Sequence, residues 1–271
     1  AYRDALDRFL CDFEDSLLPE GPFSPFGVPL LSEQQIQAQW QSAKEVGGSC
    51  LTRVNKAVLL LSAALAAERD RAFWMVDSWF GRRMDGAGKE ETARIFRQKR
   101  QLERELDSGC KKLLRRFFSG IDVKILSVYR RFLEQADCYL PQELAASVRR
   151  HTLAPLRKRK VAQEDLPALI YLKTRIFGAE DYARYRHVVV DEAQDLGEFA
   201  FFALQKLLSG STFTVVGDLA QSIYGFHGVE SWEPVQKRSF SQGAEICHME
   251  KSYRTTVEIM EAANLLTESM G

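Results

Sequence analysis

The chain has 271 residues, 45% hydrophobic and 27% charged, with 37 basic residues balanced by 37 acidic ones. This composition suits a soluble globular protein of one large or two ordinary domains. The longest strongly apolar run, residues 57–67 with Ser62 inside it, is too short to span a bilayer, so no membrane partner is expected.

The five cysteines (Cys11, Cys50, Cys110, Cys138 and Cys247) are far apart and contain no C-x-x-C pair. A reduced, cytoplasmic setting is the simplest expectation. No signal peptide opens the chain, and its first residue is Ala rather than Met, as in an excised fragment. The balanced charge hides an asymmetry. Residues 94–160 carry 18 Lys/Arg against 7 Asp/Glu. A block of one sign reads either as an interaction surface or as a set of solvated helix faces.

Residues 2–18 place Leu6, Phe9, Leu10, Phe13 and Leu17 at helical spacing, with acids on the outer face. Residues 19–29, rich in Pro and Gly, form a loop. Ser32-Glu33-Gln34-Gln35 has the form of a capping box and opens a helix that stops at Gly47-Gly48. One long helix is predicted over about 52–80, broken by residues 81–88. A charged helix follows from Glu90 to about Asp107, and Gly109 and Gly120 bracket a basic stretch, 111–118. Helices are predicted at about 122–138 and at 141–153, the latter with Pro141 in its first position. No period-two alternation occurs before Lys160, so residues 1–160 read as an all-helical module.

The texture then changes. A helix over 165–177, closed by Gly178, precedes a β-branched run, residues 187–191. A helix over 196–208 and a second strand, 212–216, follow. A short helix near 231–238, a third strand over 244–249 and a closing helix over 256–270 complete the pattern. Strands alternating with helices predict a parallel sheet.

Three motifs carry chemistry. Val188-Val189-Val190 ends in Asp191-Glu192, two carboxylates at the carboxyl end of a buried-type strand, where open α/β sheets bind ligands. Asp191 is placed to hold magnesium, directly or through water, and Glu192 to orient or deprotonate an attacking water. The second strand ends in Gly217-Asp218, and Gln221 follows, thirty residues after Asp191. Its neutral amide suits a donor to a γ-phosphate oxygen or a group that positions water. Tyr224 and Phe226 stand just beyond it, as bases-stacking aromatics or as core residues. The third motif is Ser252-Tyr253-Arg254-Thr255, whose Arg254 suits neutralising charge on a transferred phosphoryl group. A phosphate-cradling loop is missing. Gly86-Ala87-Gly88-Lys89-Glu90 lacks the upstream Gly and the hydroxyl residue, and reads as a loop between helices.

Together the motifs resemble those of superfamily 1 helicases of the UvrD/Rep/PcrA type over about residues 164–271. Residues 189–195 are similar to motif II, residues 217–225 to motif III, and residues 252–255 to the Tyr-Arg motif. Gly217-Asp218-Leu219-Ala220-Gln221 and residues 164–172 are similar to the HelD type, which binds bacterial RNA polymerase. His227 stands where the UvrD type often has Arg.

The resemblance implies an α/β fold: the C-terminal part of a first RecA-like P-loop NTPase domain at 161–271, with a parallel sheet, and an inserted all-helical subdomain at 1–160. It implies ATP and Mg2+ as cofactors, with Asp191 on the metal and Glu192, Gln221 and Arg254 at the nucleotide. It also implies single-stranded DNA as partner through Tyr224 and Phe226, with ATP hydrolysis driving translocation. The alternative is a HelD-like factor that uses ATP to remodel or recycle RNA polymerase through the helical module. In either case the P-loop is expected outside these residues, and the isolated fragment is expected to hydrolyse little ATP.

Overall fold

The computed structural model describes residues 2–118, 123–182, 184–222, 228–240, 243–249 and 256–270. The chain divides into two compact units. One comprises Ala1–Asp165 with Leu172–Gly178, the other Leu166–Tyr171 with Ala179–Gly271.

The first unit is helical: α1 (Tyr2–Asp15), α2 (Glu33–Lys44), α3 (Cys50–Ala67), α4 (Arg69–Met84), α5 (Lys89–Asp107), α6 (Lys111–Phe118), α7 (Ile125–Glu134), α8 (Ala136–Tyr139), α9 (Gln142–Val148) and α10 (Ala154–Arg157). The start of α2 follows from its sequence. The Ser32 hydroxyl accepts the Gln35 N–H at 3.3 Å, and the Gln35 side-chain carbonyl accepts the Ser32 N–H at 2.9 Å. Such a cap stabilises a helix by about 1 kcal/mol. Leu6, Phe9, Leu10 and Phe13 of α1 are buried as their spacing predicts. Phe9 meets Phe13, Phe132 and Tyr139 ring to ring at 5.3–6.0 Å between centroids. Arg53 donates both Nε and Nη2 to the two Glu14 oxygens, the latter bond at 2.7 Å, and neither side chain is more than 15% exposed. A planar fork on a carboxylate suits this half-dry site.

Several expectations change here. The predicted helix over 52–80 is two helices, hinged at Glu68 (φ −106°, ψ 32°). No Gly or Pro marks the break. α3 packs on α2 and α6 while α4 packs on α5, so tertiary packing overrides local propensity. Gly81 lies inside α4, and the break falls at residues 85–88. The helix over 122–138 is α7 and α8, separated at Gln135. Pro141 is the N-cap of α9 rather than its first residue, and a π-helical turn, Arg149–Leu153, joins α9 to α10. The apolar run at 57–67 lies in an 18-residue helix. α3 is long and apolar enough to cross a membrane by length and composition alone, the one such helix among the described residues. Ala57, Val58, Leu61, Ser62 and Leu65 on one of its faces are buried within the helical unit.

α11 (Leu166–Phe177) is divided between the units and ends at Gly178, whose φ of 94° suits glycine. The second unit continues with β1 (His187–Val190), α12 (Glu198–Leu207), β2 (Thr212–Val215), α13 (Trp232–Ser239) and α14 (Val257–Met270). β1 and β2 pair in parallel, with His187 opposite Thr212 and Val190 opposite Val215. Residues 244–249 run without strand pairing, so the sheet has two strands among the described residues rather than three. That segment lacks a β-branched run and holds only Ile246 of that class.

One face of the sheet packs on a small core of Ala193, Phe201, Val229 and Val235, with Val190, Val215, Leu219, Trp232 and Phe240 against it. The opposite face carries His187, Val189, Thr212, Thr214 and Val216, all exposed, with Val189 at 64%.

Candidate nucleotide site at the strand ends

β1 and β2 end in register, so the residues after Val190 and Val215 emerge side by side at one edge of the sheet. The ladder continues one step further: Val216 N–H donates to Val190 C=O at 2.8 Å, and Ala193 N–H donates to Val216 C=O at 3.0 Å. These two bonds fold the chain after Asp191 back over the end of β2.

The fold-back requires an abrupt reversal. Glu192 takes it up with φ 49° and ψ 40°, a left-handed conformation that is costly for a residue with a Cβ. Asp191 Oδ1 accepts the Glu192 N–H at 2.9 Å and supports the turn. Asp191 and Glu192 are both exposed, whereas Ala193 and Gln194 are buried. The turn therefore presents two carboxylates to solvent and sinks the next two side chains beneath them.

Gln194, 2% exposed, is the centre of the arrangement. Its Nε2 donates to Glu192 Oε2 at 2.7 Å, and its Oε1 accepts the Asp218 N–H at 3.1 Å. Its backbone carbonyl accepts the Val229 N–H at 3.2 Å. Two glycines make room for it. A Cβ on Gly217 would lie 2.7 Å from Gln194 Oε1, and one on Gly228 would lie 2.2 Å from the Gln194 carbonyl oxygen. Asp218 then caps the short 3₁₀ turn Leu219–Gln221. Its Oδ1 accepts the Ala220 N–H at 3.0 Å, and its Oδ2 accepts Gln221 Nε2 at 2.7 Å.

The structure thus brings Asp191, Glu192 and Gln221 to the ends of adjacent strands. Tyr224, Phe226 and Arg254 lie outside the described residues. The sequence alone gives Gln194 and Asp218 no chemical role. A buried amide two residues after an exposed carboxylate, between glycines that admit no Cβ, is visible only once the turn has folded over β2. Asp195 follows with a buried Oδ1 that has no hydrogen-bond partner among the described residues.

No cluster of three or more His, Cys, Asp or Glu side chains suited to a metal occurs among the described residues. Magnesium at phosphate sites usually takes only one or two carboxylates and completes its shell with water and substrate oxygens. An exposed carboxylate such as Asp191, whose Oδ2 has no protein partner among the described residues, fits that demand.

Comparison with known proteins bears on the same segment. Residues 123–233, from just before α7 into α13, match the family model described as the UvrD/REP helicase N-terminal domain. That segment is similar to this family over less than half of the chain. The chain is 38% identical over 88 residues to DNA helicase II of Escherichia coli, covering 32% of this chain and 12% of that protein. It is 37% identical over 79 residues to the ATP-dependent DNA helicase srs2 of Schizosaccharomyces pombe, covering 29% of this chain and 9% of the relative. It is 34% identical over 103 residues to the ATP-dependent DNA helicase Rep of Escherichia coli, covering 37% and 15%. The chain therefore matches only 9% to 15% of the length of these relatives. The similarity supports a superfamily 1, UvrD-like DNA helicase as the kind of protein to which the segment is related.

Proposed function

We propose that the UvrD-like segment is the motif II and III part of an ATP-driven superfamily 1 translocase that moves on DNA. One observation carries the reading: Asp191, Glu192 and Gln221 stand at the carboxyl ends of two adjacent parallel strands, cross-linked through Gln194 and Asp218. Open α/β sheets bind ligands at that edge. The relatives' names supply DNA as the track. The RNA-polymerase alternative rests on the HelD-like residues 164–172 and 217–221 alone.

Bound ATP with magnesium would supply the phosphoryl group and neutralise much of its charge. Asp191 would hold the metal through its exposed carboxylate. Glu192 accepts one hydrogen bond at Oε2, which leaves Oε1 to orient a water and take its proton. Gln221 is an amide with two N–H donors, one of them on Asp218, so the other would meet a phosphate oxygen. Arg254 would neutralise charge on the departing phosphoryl group, and Tyr224 and Phe226 would stack on bases. Parallel sheets are generally covered on both faces. Further segments of a RecA-like domain would cover the exposed face at Val189 and Val216, and would bring the phosphate-cradling loop.

The test is ATP hydrolysis by the full-length protein with and without single-stranded DNA. DNA-stimulated turnover that falls at least about a hundredfold in Glu192→Gln is expected for loss of a general base. Turnover indifferent to Glu192→Gln removes that residue from the chemistry. Robust turnover by the isolated 271 residues overturns the expectation that the phosphate cradle lies elsewhere.

A further inference from the structure

The path from Glu192 to Gln221 is continuous: carboxylate to Gln194 amide at 2.7 Å, Gln194 carbonyl to Asp218 N–H at 3.1 Å, Asp218 carboxylate to Gln221 amide at 2.7 Å. Gln194 is its only buried member, and both ends of its side chain are engaged. The amide is also fixed from outside. Its carbonyl group sits against Gly217, its backbone carbonyl holds Val229, and Gly228 closes over the same peptide. A swing of this side chain away from Glu192 would also break its bond to the Asp218 N–H, in the turn that carries Gln221.

We propose that Gln194 is a positioning residue. Its amide fixes the orientation of the Glu192 carboxylate and ties it to the turn bearing Gln221, so that a shift of Gln221 moves Glu192. The inference rests on the assignment of Glu192 as the group that activates water. An amide suits this place because it donates to a carboxylate at one end and accepts a backbone N–H at the other. A carboxylate in its place keeps the acceptor, loses the donor and sets a like charge beside Glu192. An apolar side chain of similar length loses both bonds.

That difference makes the test. Two substitutions, Gln194→Met and Gln194→Glu, are made in the full-length protein. Two quantities are read: kcat and KM for ATP, and the hydrogen-exchange protection of the Asp218 amide. Exchange at Ala193 and Val216, which bond to the β ladder rather than to the Gln194 side chain, reports whether the turn has folded. Gln194→Met is expected to lose Asp218 protection. It should also lower kcat roughly ten- to a hundredfold, the usual cost of removing an outer-shell partner, with little change in KM. Gln194→Glu is expected to restore the Asp218 protection without restoring kcat.

A residue that merely shapes the loop would instead be rescued in both readouts by Gln194→Glu, and that result overturns the proposal. Glu192→Gln, run alongside, separates two failures. Wild-type turnover in Glu192→Gln removes Glu192 from the proposed chemistry and overturns this inference with it. Loss of turnover there, with wild-type kcat in Gln194→Met, overturns this inference alone.

Discussion

The amide of Gln221 donates to the carboxylate of Asp218 at 2.7 Å, three residues upstream in the same short turn. Asp218 therefore aims Gln221, and it also accepts the Ala220 N–H that holds the turn closed. Replacing Asp218 with Ala removes both acceptors at an exposed position, where a net hydrogen bond is worth about 1 kcal/mol. Asp218→Ala in the full-length protein should lower kcat for ATP about fivefold, that free energy expressed as a rate, with little change in melting temperature. An unchanged kcat would show that Gln221 needs no aiming.

The glycines around Gln194 predict an order of stabilities. A Cβ on Gly228 would meet backbone oxygen at 2.2 Å, which has little freedom to yield. On Gly217 the obstacles are the Gln194 side chain at 2.7 Å, its backbone nitrogen at 2.9 Å and Trp232 at 3.0 Å. Gly81, inside α4, has nothing within 4 Å. Gly228→Ala should destabilise most, by roughly 1–3 kcal/mol or more, as overpacking does. Gly217→Ala should follow it. Gly81→Ala should stabilise by about 0.5–1 kcal/mol, because Ala loses less entropy than Gly in a helix. Urea denaturation of the three variants checks the order, and a destabilising Gly81→Ala would contradict it.

Local signals in the sequence were sufficient where one residue type dictates one geometry. Ser32 and Gln35 specify a cap, Gly178 a stop, and the β-branched runs before Asp191 and Gly217 two strands. Such signals do not reach features set by distant contacts. The hinge at Glu68 lies among good helix formers and exists because α3 and α4 pack on different neighbours. Residues 244–249 resembled a strand in position only. At the candidate site, the acids were legible as a motif, but the link from Glu192 to Gln221 was not. It depends on the left-handed turn at Glu192 that carries Gln194 beneath β2's end.

The buried thiols set a limit at high pH. Burial, with the Glu14 carboxylate adding to it, pushes the Cys50 thiol up from 9.0 to about 11. Burial, with Glu105 adding, pushes Cys110 up to about 12. Because the folded values are raised, the unfolded chain gives up these protons first. The stability they contribute is complete below about pH 9 and is lost as pH rises through the folded values. Urea midpoints should fall between about pH 9 and 12, and less steeply in Cys50→Ala with Cys110→Ala. The same burial predicts that a thiol reagent at neutral pH modifies Cys11, Cys138 and Cys247, which are exposed, before Cys50 and Cys110. Equal labelling of all five in the folded protein would contradict the packing of α3 and α6.

The basic block has its most concentrated expression in α6. Leu114 and Phe118 are buried there, while Lys111, Lys112, Arg115 and Arg116 are exposed on the other side. An eight-residue helix with four cations on one face is an efficient phosphate contact, and each contact with single-stranded nucleic acid releases counterions. If this face binds DNA, log K against log salt should have a negative slope that shrinks by about 0.7 for each phosphate contact removed. Lys112→Ala with Arg115→Ala in the full-length protein should then flatten the slope by about 1.4 and leave the melting temperature nearly unchanged, since neither side chain is buried. Affinity measured by fluorescence anisotropy across a salt series decides it. A slope identical to that of the unsubstituted protein would leave this face as solvated helix surface and move the DNA contact elsewhere.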